Sequence, residues 1–227
     1  MKNQAKLLVI EGTDGSGKAT QTRMLKDRLK KEGFSIETMS FPRYKDTIFG
    51  ALLRECLDGK RGDFVDIDPR IASVLYAADR HASLEELNLL MEKNDFVILD
   101  RYVSANQLHQ GGKILDVEKR QEFMEWLRRM EHDSFKLPKP DVIFFLDVPV
   151  EVTIGLIVAR AEEESVEVDA HESDKDHLIA ARESGLYLAK HEDSWIRVNC
   201  AENGELMTRE DIHEKIFKSI SSLFGDV

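Results

Sequence analysis

Basic residues are the first thing in short supply. The 227 residues carry 32 Lys and Arg against 43 Asp and Glu, a net charge of −11. Proteins that track nucleic acid present a basic face, so this balance argues against a nucleic-acid partner. It leaves room for a small phosphorylated ligand, which needs only a few local arginines. Cysteine is scarce as well. Cys56 and Cys200 lie far apart with no CxxC or zinc spacing, the pattern of a reduced, cytoplasmic protein. Long apolar runs are absent. The run in "MKNQAKLLVIEG" is too short for a signal peptide, and no later run approaches the roughly 20 residues that cross a bilayer, so no membrane association is expected. Internal repeats and low-complexity linkers are missing too, which leaves one domain over residues 1–227. Hydrophobic residues at 42% and charged residues at 33% are ordinary for a globular chain of this length.

What is present alternates. Five short apolar runs predict strands at Leu7–Glu11, Ser35–Ser40, Phe96–Asp100, Val142–Val148 and Trp195–Asn199. The first, third and fourth are almost continuous in Val, Ile, Leu and Phe, as in strands buried on both faces of a parallel sheet. Helical patterns lie between them. "QTRMLKDRLKKEG" puts Met24, Leu25 and Leu29 on one side and stops at Gly33. One long helical stretch, residues 66–93, opens with Asp68 as N-cap and Pro69 in the first turn. Residues 116–135 form a third, with Phe123, Trp126, Leu127 and Met130 as the apolar stripe. Strands alternating with helices predict a doubly wound α/β fold, whose ligands sit at the carboxyl ends of the strands. The acid-rich stretch from Arg160 to Asp176 lacks apolar periodicity. It fits either a solvated surface segment or a mobile lid over a nucleotide.

The chemistry starts at Gly12-Thr13-Asp14-Gly15-Ser16-Gly17-Lys18, between a predicted strand and a predicted helix. Such a loop wraps a phosphate in backbone N–H groups, adds the positive end of the helix dipole, and lets Lys18 reach the β- and γ-phosphates of ATP. Ala19 stands where a Ser or Thr usually offers its hydroxyl to Mg²⁺, and Thr20 points elsewhere. Metal would then rest on phosphate oxygens, water and nearby carboxylates, with Asp14 and Asp100 the candidates. GTPase signatures (NKxD, DxxG) are not found where they would be needed. Instead the third strand ends in "DRYVSANQLHQGG", where Asp100 and Arg101 can serve metal and a second phosphate, although an acid–base pair is also a common surface ion pair. "FPRY" (Phe41, Pro42, Arg43, Tyr44) follows the second strand and offers a phosphate clamp in Arg43 and a ring or hydroxyl in Tyr44. Tyr76 and Arg80 share one helix face, as suits stacking on and hydrogen bonding to a nucleobase. A partly buried Tyr beside an exposed Arg is the other reading of that pair.

In order and spacing, "EGTDGSGKATQ", "FPRY", "LYAADR", "DRYVSANQLHQGG" and "LPKPDVIFFLDVPVEV" resemble the thymidylate kinase family over nearly the whole chain, least after about Arg160. The resemblance implies a three-layer P-loop fold with a five-stranded parallel sheet and a lid over about residues 150–177. It implies ATP with Mg²⁺ as donor, dTMP as acceptor, and a homodimer. Gly12 to Thr20 would hold ATP. Asp14 would be the P-loop acid near acceptor phosphate and metal, Arg43 and Arg101 the acceptor-phosphate clamps. Tyr76 would stack on thymine, Arg80 would hydrogen-bond it, and Asn106 and Gln107 would meet the pyrimidine edge. His109 replaces the Tyr or Phe that crowds the sugar 2′ position, and Ala105 replaces a common Ser. Family members carry a catalytic arginine either in the P-loop or in the lid. Gly15 occupies the P-loop position, which points to Arg160, with Lys175 and Arg182 in reserve.

Overall fold

The structure is a computed structural model and describes residues 5–64, 66–164 and 174–225, without the side chains of residues 160, 163 and 164. Along the chain run β1 (Lys6–Glu11), α1 (Lys18–Lys31), β2 (Ile36–Ser40), α2 (Ile48–Leu57), α3 (Pro69–Ala82), α4 (Leu84–Lys93) and β3 (Phe96–Asp100). There follow α5 (Val103–Ala105), a π-helical turn over Asn106–Gln110, α6 (Val117–Arg128), a second π-helical turn over Arg129–Ser134, and β4 (Val142–Asp147). The chain ends in α7 (Val150–Glu164), α8 (Lys175–His191), β5 (Trp195–Asn199), the two-residue strands β6 (Ala201–Glu202) and β7 (Glu205–Leu206), and α9 (Arg209–Phe224).

The five long strands make one parallel sheet in the order β2-β3-β1-β4-β5. All five expected strands are there, because their runs are apolar at consecutive positions and both sheet faces are covered. Alternation divides them. Leu7 and Val9 of β1 join Val97, Leu99, Ile143 and Phe145 in a core closed by Leu87 and Met91 of α4, Phe123 and Leu127 of α6, and Ala181 and Leu188 of α8. Leu8 and Ile10 face the other way with Ile98, Phe144 and Leu146, under Leu25 and Leu29 of α1 and Ile212, Ile216 and Ile220 of α9. Helix, sheet and helix form three layers. Chain order reverses at β1, so the crevice at a topological switch point lies above the carboxyl ends of β1, β3 and β4.

Two helical expectations need correction. The 66–93 stretch is two helices: the Asp68 side chain caps α3 as expected, accepting from the N–H of Arg70 at 2.8 Å, but Ser83 ends α3 and starts α4. Period alone cannot reveal that break, since apolar residues recur on both sides of it. The 116–135 stretch is α-helical only to Arg128 and then widens to a π-helical turn. One glycine here is required by close approach: a Cβ on Gly50 of α2 would sit 1.9 Å from the carbonyl oxygen of Arg43.

Candidate active site

The P-loop leaves β1 through Glu11, a carboxylate with no solvent exposure at the end of an apolar strand. It accepts the N–H of Gly12 at 3.0 Å and the Ser104 hydroxyl at 2.8 Å, and lies 4.0 Å from the Arg101 guanidinium. Burial raises the Glu11 carboxyl above its ordinary range against the pull of Arg101 and Lys18. Glu11 escaped the sequence reading, although an acid inside an apolar run just before the glycines was a signal. Gly17, at φ +89°, turns the chain into α1, whose first N–H groups face the loop. Lys18 Nζ donates to the carbonyls of Gly12 at 3.1 Å and Thr13 at 2.8 Å. Burial lowers its ammonium pKa and Arg101 adds to that, with Asp14 and Asp100 opposing.

Gly15 faces α7. At φ +76° its added Cβ would lie 2.8 Å from Ile157 Cγ1 and 3.0 Å from the Thr153 carbonyl. A P-loop arginine at this position therefore has no room to reach the phosphates. Gly15→Arg is expected to destabilise the fold by about 1–3 kcal/mol through overpacking and backbone strain, and to raise KM for ATP without raising kcat. Thermal denaturation and steady-state kinetics check this; a faster variant would mean the loop accommodates the side chain.

Arg101 follows β3 in the left-handed region, at φ +64°. That conformation folds its side chain back toward the P-loop. One guanidinium nitrogen bonds Asp14 and the other lies 2.8 Å from His109 Nε2. Burial would raise the Asp14 carboxyl, but Arg101 and then Lys18 hold it far below the usual carboxylate range. Arg43, expected as a second clamp, is elsewhere. Its guanidinium bonds Asp46 at 3.1 Å and also Glu86, outside the cleft lining. Its backbone N–H donates to Asp79 at 2.9 Å, and Asp79 also accepts from the Thr47 hydroxyl, so this carboxylate ties α3 to the "FPRY" turn. The Phe41–Pro42 peptide within that turn is cis.

Tyr76 lines the cleft beside the Phe64 ring, 6.0 Å away. Arg80 is 2% exposed, not a surface residue. Its Nε and one terminal nitrogen each donate to Glu131 at 2.7 Å, and the other terminal nitrogen donates to the Tyr102 carbonyl at 3.2 Å. A guanidinium has five N–H bonds, so two remain for the cleft it lines. Asn106 Nδ2 joins the same group, 2.8 Å from Glu131 and 3.2 Å from the Ser73 carbonyl. On the π-helical turn, Asn106, His109 and Gln110 line the cleft, whereas Gln107 is buried and its carbonyl accepts from Ser184 of α8 at 2.9 Å. Gln110, missed by sequence reasoning, has a buried Oε1 with no hydrogen-bond partner among the described residues.

These groups surround one cleft of about 760 Å³. Leu156 and Ala159 of α7 form one wall, and Leu206, Met207 and Arg209 close the end beside Thr20 and Gln21. Asp14, Asp100 and Ser16 line it together, and Ser16 Oγ is a buried hydroxyl without a partner among the described residues. Two carboxylates and a hydroxyl make a hard oxygen set that fits Mg²⁺ retaining several waters. Among the described residues no three His, Cys, Asp or Glu side chains cluster into a closed metal site. The Arg160 side chain lies outside the described residues, on α7. Of the reserve cations, Lys175 is 3.6 Å from Glu151, and Arg182 bonds Asp147 at 2.7 Å rather than lining the cleft.

A phosphate loop at the switch point of a parallel sheet, facing an arginine and an aromatic–arginine pair across one cleft, defines a P-loop phosphotransferase. Residues 10–216 match the family model described as thymidylate kinase. Over 146 residues, 64% of this chain and 67% of the relative, the chain is 33% identical to a thymidylate kinase of Mycobacterium tuberculosis. A probable thymidylate kinase of Thermococcus kodakarensis is 30% identical over 226 residues, covering 96% of this chain and 98% of its own. The solved thymidylate kinase of Candida albicans shares the fold, with a TM-score of 0.72 at 21% identity over 96% of this chain and 92% of its own. The chain belongs to the thymidylate kinase family.

Proposed function

We propose that the chain phosphorylates dTMP to dTDP at the expense of ATP, a step of dTTP supply. The observation carrying this reading is the convergence on one cleft of Lys18 with the P-loop and of Arg101, Tyr76 and Arg80. Phosphoryl transfer demands positioning and charge neutralisation more than covalent chemistry. Residues Gly12 to Thr20 hold the donor phosphates, and the end at Leu206, Met207 and Arg209 takes the donor base. Lys18 exchanges the Gly12 and Thr13 carbonyls for phosphate oxygens. Arg101 aims the acceptor phosphate in line, held by Asp14 on one side and His109 on the other. Arg43 lies outside the cleft lining and would act as a second clamp only by giving up its bonds to Asp46 and Glu86, whose carboxylates are exposed, for a phosphate. Tyr76 stacks on thymine, and the two remaining N–H bonds of Arg80 meet its edge with Asn106. Gln110 takes the place first given to Gln107. Asp14 and Asp100 would hold Mg²⁺ together with water, and the metal would neutralise charge on the donor phosphates.

We read residues 1–227 as one kinase domain with its lid at about 150–177. Arg160 then supplies the lid cation, and Arg160→Ala is expected to lower kcat by roughly 10² with little change in KM for ATP. Near-normal turnover would move the role to another residue. A homodimer is supported by apolar side chains left exposed on two helices that pack together, Ile48 and Leu52 of α2 with Ile71 and Val74 of α3. Placement in the cytoplasm, without nucleic-acid partners, is supported by two buried free cysteines and a net charge of −11. No helix among the described residues is long and apolar enough to cross a membrane. Coupled ADP release measured with dTMP, dUMP, UMP, CMP and dGMP tests the substrate. A clear preference for dTMP is expected; equal rates across the panel, or no dTMP-dependent ADP, would overturn the reading.

A further inference from the structure

We propose that His177 is a positioning residue for Arg101, acting through His109. The two imidazoles stack with centroids 5.3 Å apart and planes 12° from parallel. His109 Nδ1 lies 3.2 Å from His177 Nε2, and His109 Nε2 lies 2.8 Å from a terminal nitrogen of Arg101.

The donor count assigns the protons. A guanidinium only donates, so His109 Nε2 must be the acceptor and carry no proton. Burial, with Arg101 next, pushes the His109 imidazolium far below its ordinary range, Asp14 opposing, so the ring is neutral. Its single proton therefore sits on Nδ1 and is donated to His177 Nε2. His177 in turn keeps its own proton on Nδ1. Arg101 thus donates to Asp14 on one side and to His109 on the other, and His109 passes the donor direction on to His177 in the first turn of α8. Arg101 alone favours the proton on Nδ1, but if His177 offered no acceptor that N–H would be left without its partner, and the cost would weaken the preference for this tautomer. The alternative tautomer would then aim an N–H at the Arg101 guanidinium, donor against donor. His177 is itself well anchored: its backbone N–H is capped by Asp174 at 3.2 Å, and the next residue, Leu178, is fully buried.

This role rests on the reading of Arg101 as the acceptor-phosphate clamp, and three variants with two readouts separate the ideas. His177→Phe keeps a stacked ring and removes the acceptor, whereas His177→Gln restores an acceptor oxygen. His177→Phe should raise KM for dTMP roughly fivefold, the size of one net hydrogen bond, with kcat and KM for ATP within about twofold of the parent, and His177→Gln should recover most of the loss. In ¹⁵N-histidine spectra of the full chain without ligand, His109 should be the neutral Nδ1–H tautomer in the parent and in His177→Gln, and a tautomer mixture in His177→Phe. An Nε2–H tautomer in the parent, or an unchanged KM for dTMP in His177→Phe, overturns the proposal. If Arg101→Ala leaves KM for dTMP unchanged while the parent tautomer is Nδ1–H, the clamp assignment fails and the proposed role fails with it.

Discussion

Arg101→Ala is expected to lower kcat/KM for dTMP by roughly 10³, the effect of removing a half-buried, hydrogen-bonded cation beside the reacting group. Three consequences add. The acceptor phosphate loses its fork, Asp14 loses its strongest cation, and buried Glu11 loses a charge 4.0 Å away. The sign of the pH effect follows. Asp14 has a depressed carboxyl in the folded parent, so its charge is present above the ordinary carboxylate range and is lost only when pH falls well below it. With Arg101 removed, burial is left with less opposition and the Asp14 pKa moves up. The acid limb of the pH–rate profile should therefore shift toward neutrality in the variant. Arg101→Lys keeps the charge but loses the two-sided geometry that reaches both Asp14 and His109, and should recover only part of the rate. An Arg101→Ala enzyme within tenfold of the parent would remove Arg101 from the transfer step.

Glu131→Ala is expected to destabilise the fold by about 3–5 kcal/mol, since it leaves the Arg80 guanidinium buried without its carboxylate. For a chain of this size that lowers Tm by roughly 10 °C. Asn106 loses a partner too, so the damage reaches three elements: α3, the π-helical turn and the turn after α6. Glu131→Gln keeps the shape and one acceptor, and should fold with a smaller loss of about 1–3 kcal/mol. Its KM for dTMP should still rise, because Arg80 is no longer pinned by two bonds of 2.7 Å. A Glu131→Ala protein with the parent Tm would show that water or another group takes over the buried charge.

The sequence by itself determined the sheet and the phosphate loop. The apolar runs at Leu7–Glu11 and Phe96–Asp100 have only one low-energy use, as strands covered on both sides, and the glycines with Lys18 after the first run carry their geometry locally. Backbone rules and short-range periodicity reach that far, because they act within one element or between consecutive ones. The partnerships of the site lie beyond that range. Arg80 finds Glu131 across 51 positions, Asp14 finds Arg101 across 87, and His109 finds His177 across 68. Each residue reads, in isolation, as an ordinary polar side chain on a helix or loop. Tyr76 and Arg80 share a face by helical period, yet only packing of α3 against the turn after α6 buried the arginine and chose which of its N–H bonds face the cleft. Gly15 likewise reads as loop flexibility until α7 is laid against it. Charge pairing in a low-dielectric interior is decided by which elements the topology brings together, and that is a property of the fold rather than of any stretch of the chain.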